Sequence, residues 1–502
     1  MTLPKIGSPS ELAALRAILM RNGYTEEAIA GRFGLKTLSA FRTLRSGRNE
    51  HRDITDGLDA LVRLFLDGEY VALDSLAATA GEDVFPCLAA LDLACADSSR
   101  PERCYATVLL YPVSGLWIIS DREGNPEHTP FTPPPDVVYP ALIENTQRFL
   151  DGLPDDACDD FLDLCAGTGI AALIAARGIA RHAWSLDITG RATHFASFNA
   201  ALNEVTNFTA LEGDLFRPVE GRTFDRIVAH PPYVPSVETE YVYRDAGEDG
   251  EQITRRMIQD LPQYLRPGGC FYAVALGTDR EGALYDERIR EWLGQRSEEF
   301  DVLLAANTIE DPITFSAQWL RKLGDPVGKF TEWRAMFQRL GVTRIFHGFI
   351  VIQRHSTPRA PFTVRRMMAT TEPRPALAWL LSLETAIASG FHSELLDSPV
   401  SFSPHLKLTV DHRVDGGQLV PVDCTFHVGF PFASQCQAEP WMAAMVALTD
   451  GKRTVREIFG ALGERGLLPS AATIEEFGRL TATLTAAGML ETPKFNLPRA
   501  AE

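Results

Sequence analysis

Paired cysteines are missing from this chain. Its eight Cys residues (Cys87, Cys95, Cys104, Cys158, Cys165, Cys270, Cys424 and Cys436) are scattered through 502 positions. No C-x-x-C pair and no Cys/His cluster at zinc spacing occurs among them, so no metal site is expected. Scattered Cys of this kind reads as buried, reduced thiols of a cytoplasmic protein. Long apolar runs are also absent. None approaches about 18 residues, which leaves no transmembrane helix. The first residues, MTLPKIGSPSELAALRAIL, lack the basic, apolar and small-residue segments of a signal peptide. Ser8-Pro9-Ser10-Glu11 reads instead as a helix start, with Ser8 capping, Pro9 first in the helix and Glu11 closing a capping box. Positive charge is in deficit: 48 Lys and Arg stand against 66 Asp and Glu, for a net charge of −18. That balance argues against broad adhesion to nucleic acid or anionic membranes, though not against a local basic groove.

What remains is ordinary globular composition, with 45% hydrophobic and 23% charged residues. At roughly 100–200 residues per domain, this length suggests about three domains. Residues 1–140 read as a helical, winged-helix-like domain ending in a linker. Leu12, Leu15, Ile18 and Leu19 repeat at helical spacing. Leu58–Leu66 is a second helical run, and Tyr105–Tyr111 and Leu116–Ser120 form two strands around Pro112–Gly115. The Pro-rich stretch 121–140 is expected to stay extended. Residues 141–354 alternate strand and helix, which implies a mostly parallel sheet covered on both faces. Residues 355–502 read as a hairpin turning at Asp415-Gly416-Gly417, then three helical runs in a second winged-helix-like module. LFLDGEYVALDSL (64–76) and VALTDGKRTVREIF (446–459) echo one another across the two ends.

The middle region carries the chemistry. FLDLC (161–165) precedes Ala166-Gly167-Thr168-Gly169 and a helix beginning at Ile170. Glycines at such a strand–turn–helix junction let backbone approach a ligand closely. Asp187 ends the next strand, 24 positions after Asp163, where a carboxylate can accept both hydroxyls of a ribose. Asp214 ends the third strand, where it can meet an adenine edge. Ligands bind at the carboxyl ends of such strands, so the three acids are expected to converge. A dinucleotide fold competes here, because Gly167-x-Gly169-x-Ala171-Ala172 offers a small residue where a third glycine would fall. Asp187 and Asp214 can also be read simply as turn caps.

The fourth strand, FDRIVAHPPYVP (224–235), puts His230-Pro231-Pro232-Tyr233 at its carboxyl end. With D-x-x-x-G-x-G, the L-D of Asp187, the G-D-L-F of Asp214 and Leu215, and R-P-G-G at 266–269, this order resembles the class I S-adenosylmethionine-dependent methyltransferases. Within them it is most similar to the HemK/PrmC-type protein-glutamine methyltransferases and the "methyltransferase small" RNA guanine methyltransferases. The resemblance covers residues 155–354, and both flanks resemble a multidomain, mostly bacterial group built on this core. It implies an α/β fold with a seven-strand Rossmann-like core. Asp163, Gly167 and Gly169 would hold the methionine part of S-adenosylmethionine, with the Cys165 thiol beside it. Asp187 would bind the ribose, and Asp214 and Leu215 would border the adenine. His230, Pro231, Pro232 and Tyr233 would face the methyl acceptor.

Two departures from the family pattern stand out. Cys165 replaces a usual Gly, which is tolerated if its φ is negative. His230 replaces the usual Asn, Asp or Ser. In the family, the Asn oxygen and a Pro carbonyl accept hydrogen bonds from a planar NH2 group, which aims its nitrogen at the methyl. A neutral His accepts only one such bond, or it can act as a general base. It can also be a packing residue in a copy without activity. The expected reaction is N-methylation of a planar nitrogen on a macromolecule, with protein glutamine favoured over nucleic acid by the charge of −18. An RNA or DNA base amine is the alternative acceptor. A non-catalytic S-adenosylmethionine-binding regulatory or peptide-recognition protein is the second alternative. Tyr241, Tyr243, Arg244 and Asp245 lie in the loop after the PPY motif, where they read either as a closing loop or as solvated surface. Nothing in the sequence signals an oligomeric state.

Overall fold

The computed structural model describes residues 3–41, 53–236, 241–323 and 328–499. The chain divides into two compact units, one of residues 1–150 and 155–275, the other of 151–154 and 276–502.

Unit one opens with the helix Pro9–Arg21. Ser8 and Glu11 form the expected capping box, and Leu12, Leu15, Ile18 and Leu19 face inward. Helices Gly57–Phe65, Leu73–Ala80 and Val84–Ala90 follow, with a three-stranded sheet of Val71–Ala72, Ala94–Ala96 and a central Arg103–Ala106. The hairpin Val108–Val113/Leu116–Asp121 then turns on Ser114 and Gly115, both left-handed at φ 51° and 71°. This is the mirror-image turn whose twist suits a two-residue hairpin.

The core of the unit is five strands, β1 Cys158–Leu164, β2 Ala180–Asp187, β3 Phe208–Glu212, β4 Phe224–Ala229 and the first part of β5 Leu265–Arg280. Helices α1 Ile170–Gly178 and α2 Gly190–Leu202 connect β1 to β2 and β2 to β3, and α3 Gln252–Tyr264 precedes β5. The order is β5-β4-β1-β2-β3, with every pairing parallel. The chain therefore winds outward from β1 to β3, then returns to β4 on the other side of β1. The gap between the carboxyl ends of β1 and β4 is the switch point where such sheets bind ligands. The register Leu164↔Ala229 sets the glycine turn and His230 side by side there.

In unit two, β6 Phe300–Glu310 and β7 Val342–Arg354 pair antiparallel. The protein is α/β as expected, with more strands than the seven expected. Thr363–Met368 runs parallel to β6, followed outward by Phe432–Gln437 and the hairpin Lys407–Asp415/Gln418–Gly429, which turns on Gly416 and Gly417. A small sheet places Pro399–Phe402 between Asp450–Thr454 and Leu490–Glu491. It is packed with helices Val455–Glu464 and Ile474–Ala486, the first opened by the Thr454/Glu457 capping box. Among the described residues, no helix is long and apolar enough to cross a membrane, and no group of three or more His, Cys, Asp or Glu is placed to hold a metal ion.

Candidate active site

Asp163, in the last turn of β1, is 2% exposed. It accepts a long hydrogen bond, 3.4 Å from the Ala172 amide. Burial, helped by the nearby charge of Asp187, pushes its carboxyl up to about 8, because a desolvated carboxylate with little hydrogen bonding favours its neutral form. The chain then makes a tight turn. Cys165, Gly167 and Gly169 all take left-handed backbone, at φ 56°, 54° and 77°. The negative φ under which a side chain is easily tolerated at this position is therefore not the one Cys165 holds. Cys occupies the left-handed conformation that suits the glycine usual at this place, and the turn geometry overrides the Cβ penalty of about 1–2 kcal/mol. Its thiol is held well above its ordinary range, first by burial, then by the negative charges of Asp187, Asp163 and Asp214. The three acids thus converge, as expected, on one thiol.

The two glycines differ. A Cβ at Gly169 would lie 2.9 Å from Ala196 Cβ and 3.3 Å from both Phe208 and Ser185, so this glycine lets α2 pack close to the turn. A Cβ at Gly167 would meet nothing within 4 Å. Gly167 therefore lines open space at the switch point, while Gly169 is structural.

Asp187 organises the turn. Its Oδ2 accepts from the Gly167 amide at 3.0 Å, and its Oδ1 accepts from the Thr189 amide and hydroxyl at 3.1 and 3.2 Å. Thr189 also caps α2 by accepting from the Ala192 amide. The chain itself thus donates several hydrogen bonds to this carboxylate, and Asp187 is accordingly a turn-holding residue. Burial is the main cause of its raised pKa. Asp214 lies after β3 and takes a 2.7 Å ion pair from Arg256 on α3, an arginine that nothing in the sequence pattern singled out. Leu215 beside it is 9% exposed and left-handed at φ 50°.

The opposite wall is the HPPY segment. The His230 ring stacks on Phe149 at 5.3 Å and lies 5.9 Å from the Tyr233 ring. Tyr233 is almost buried, and its hydroxyl accepts from Asn145 Nδ2 at 3.0 Å. Burial raises the phenol to about 12. Asn145 and Phe149 both belong to the helix Glu144–Gly152, one turn apart, so one helix face meets both aromatic side chains of the motif. Sequence reasoning missed this helix. The only signal was Phe149 and Leu150 flanked by polar residues.

The loop after the motif is held in place. Val234 N donates to Arg244 O, Ala246 N donates to Val234 O, and Val242 N donates to Pro135 O of the Pro-rich segment. Tyr243 stacks on Tyr139 at 5.0 Å, and Arg244 pairs with Asp245 at 2.7 Å. These loop residues are therefore anchored to the chain beside the motif.

Residues 142–297 match the family model described as the methyltransferase small domain. A Methanocaldococcus jannaschii protein, named as a candidate protein N5-glutamine methyltransferase, is 38% identical over 141 residues, covering 27% of this chain and 70% of that protein. The ribosomal protein uL3 glutamine methyltransferase of Xanthomonas campestris is 36% identical over 121 residues, covering 22% of this chain and 39% of that protein. The release factor glutamine methyltransferase of Thermodesulfovibrio yellowstonii is 31% identical over 123 residues, covering 22% of this chain and 44% of that protein. The chain thus spans most of the first relative but less than half of the other two.

Proposed function

Because the chain belongs to the class I S-adenosylmethionine-dependent methyltransferases of the HemK/PrmC type, we propose that it methylates the side-chain amide nitrogen of glutamine in a protein. The observation that carries this reading is the HPPY wall on β4, paired directly with the glycine turn on β1. Tyr233 and the Pro231-Pro232 carbonyls flank a place for a planar amide, and Tyr233 can stack on one. The names of the three relatives, each a glutamine methyltransferase, support the same acceptor.

The site fits the cofactor. Gly167 borders open space beside the carboxyl groups of Asp163, Asp187 and Asp214. S-adenosylmethionine, when bound, supplies a methyl already activated on a sulfonium. Asp163, Cys165, Gly167 and Gly169 would hold its methionine part, Asp187 its ribose, and Asp214 and Leu215 its adenine. The chain's share of the work is alignment. His230, Pro231, Pro232 and Tyr233 orient the acceptor nitrogen, and orientation supplies most of the acceleration for such a transfer.

The test is labelling with methyl-tritiated S-adenosylmethionine, using purified release factor, uL3 protein and ribosomal RNA as acceptors. Label that resists nuclease and maps to glutamine by mass spectrometry is expected. Asp187→Ala should abolish cofactor binding, and His230→Ala should spare binding but slow transfer. Label confined to RNA would replace the acceptor by a base amine. Failure of the pure protein to bind the cofactor would overturn the proposal.

A further inference from the structure

We infer that Asn145, from outside the motif, supplies the side-chain oxygen that receives the acceptor's N–H where His230 replaces the family's Asn. This inference rests on the glutamine reading above. A planar NH2 group needs oxygen acceptors to fix its orientation. The Pro-Pro step offers backbone carbonyls, but the residue at position 230 is an imidazole with an aromatic ring against each of two sides, Phe149 at 5.3 Å and Tyr233 at 5.9 Å. Stacking of this kind fixes the ring as a wall.

The nearest carboxamide stands on the neighbouring helix. Asn145 donates through Nδ2 to the Tyr233 hydroxyl at 3.0 Å. That bond uses one half of the amide and fixes its plane. Among the described residues, the other half, Oδ1, carries no hydrogen bond. Asn145 itself is only partly buried. The helix holds it firmly, because Phe149 one turn on is 2% exposed and packed on His230. The wall thus pairs a hydroxyl-anchored amide oxygen with the ring of Tyr233. That is the acceptor type and the stacking surface a glutamine side chain requires.

The probe is a pool of synthetic peptides, each holding one glutamine, with methyl-tritiated S-adenosylmethionine. Asn145→Leu and the smaller Asn145→Ser should each lower kcat/KM for peptide about tenfold, the loss of one well-placed hydrogen bond. Their cofactor Kd, read by calorimetry, should stay within about twofold of wild type. Asn145→Asp keeps an oxygen in place and should recover most of the rate. Tyr233→Phe separates this role from mere support of the tyrosine. If Asn145 only braces Tyr233, then Asn145→Leu, Asn145→Ser and Tyr233→Phe lose equally and the double variant loses no more, which would overturn the inference. Wild-type rates in the Leu and Ser variants would also overturn it. If wild-type protein labels no peptide, the glutamine reading fails first and this inference falls with it.

Discussion

Asn199 donates through its side-chain amide to the carbonyl of Thr168 at 3.0 Å. Thr168 sits between Gly167 and Gly169, so this buried amide holds the crown of the cofactor turn. The same side chain accepts from Ile119 N at 2.8 Å and donates to Ile119 O at 3.1 Å. One turn later, Asn203 does the same to Trp117, at 2.9 and 2.7 Å. Two asparagines thus satisfy the polar groups along one side of the strand Leu116–Asp121, which lies against α2. Only Asn199 joins that strand to the turn.

Removing that amide should therefore cost both stability and ligand. Asn199→Ala leaves Ile119 N and two carbonyls buried without their partner, a loss of about 2–4 kcal/mol. It should also weaken S-adenosylmethionine binding, since Thr168 is released. Asn203→Ala, at the more open helix end, should cost about 1–2 kcal/mol and leave cofactor affinity alone. Urea denaturation and calorimetry on both variants check this. Equal effects on cofactor affinity would refute the coupling.

The two glycines of the turn should separate in the same pair of measurements. Gly169→Ala drives a Cβ to 2.9 Å from Ala196 and strains a left-handed residue, so a stability loss of at least ~2 kcal/mol is expected. Gly167→Ala has only the left-handed strain to bear, about 1 kcal/mol. Its methyl projects into the open space at the switch point, so its main effect should be on cofactor affinity. If Gly167→Ala bound the cofactor as wild type does, that space would not be the cofactor's.

The strand–helix alternation and the acid positions were legible because they depend on local signals. Period, glycine turns and strand-end acids are all written within a few residues of one another. FLDLC and FDRIVA are rich in apolar residues because β1 and β4 are largely buried on both faces. The helix Glu144–Gly152 was not legible, since its role comes from two side chains meeting residues more than 80 positions away. Arg256 escaped for the same reason. Asn199 did leave a trace: with Asn203 it forms a polar pair at helical spacing inside the otherwise apolar FASFNAALN. The φ of Cys165 was not legible, because backbone conformation follows from the turn, and a single residue type does not reveal it.

Cys165 gives a clean backbone test. Cys165 holds φ 56°, so Cys165→Gly should keep or raise stability, by up to about 1 kcal/mol as the Cβ strain is relieved. Cys165→Val puts a β-branched side chain in the left-handed region and should cost about 2 kcal/mol or more. Thermal denaturation of the three proteins side by side decides it. A valine variant as stable as wild type would show that the residue relaxes to a negative φ.

The pH dependence should run through Asp163. Its carboxyl sits at about 8 in the fold against an ordinary 3.8. Between those values the folded chain keeps a proton that the unfolded chain has lost, so this group lowers stability progressively as pH rises through that window. Asp163→Asn carries no such proton. It should flatten that fall and be the more stable protein above pH ~8, at the expense of cofactor binding. The ammonium of S-adenosylmethionine favours the carboxylate form, so binding near neutrality should expel a proton. Affinity should then rise with pH and level off above about 8. Calorimetry in buffers of different ionisation enthalpy measures the released proton directly. A Kd that stays constant from pH ~6 to ~8.5, with no proton released, would mean that Asp163 does not meet the cofactor's charge.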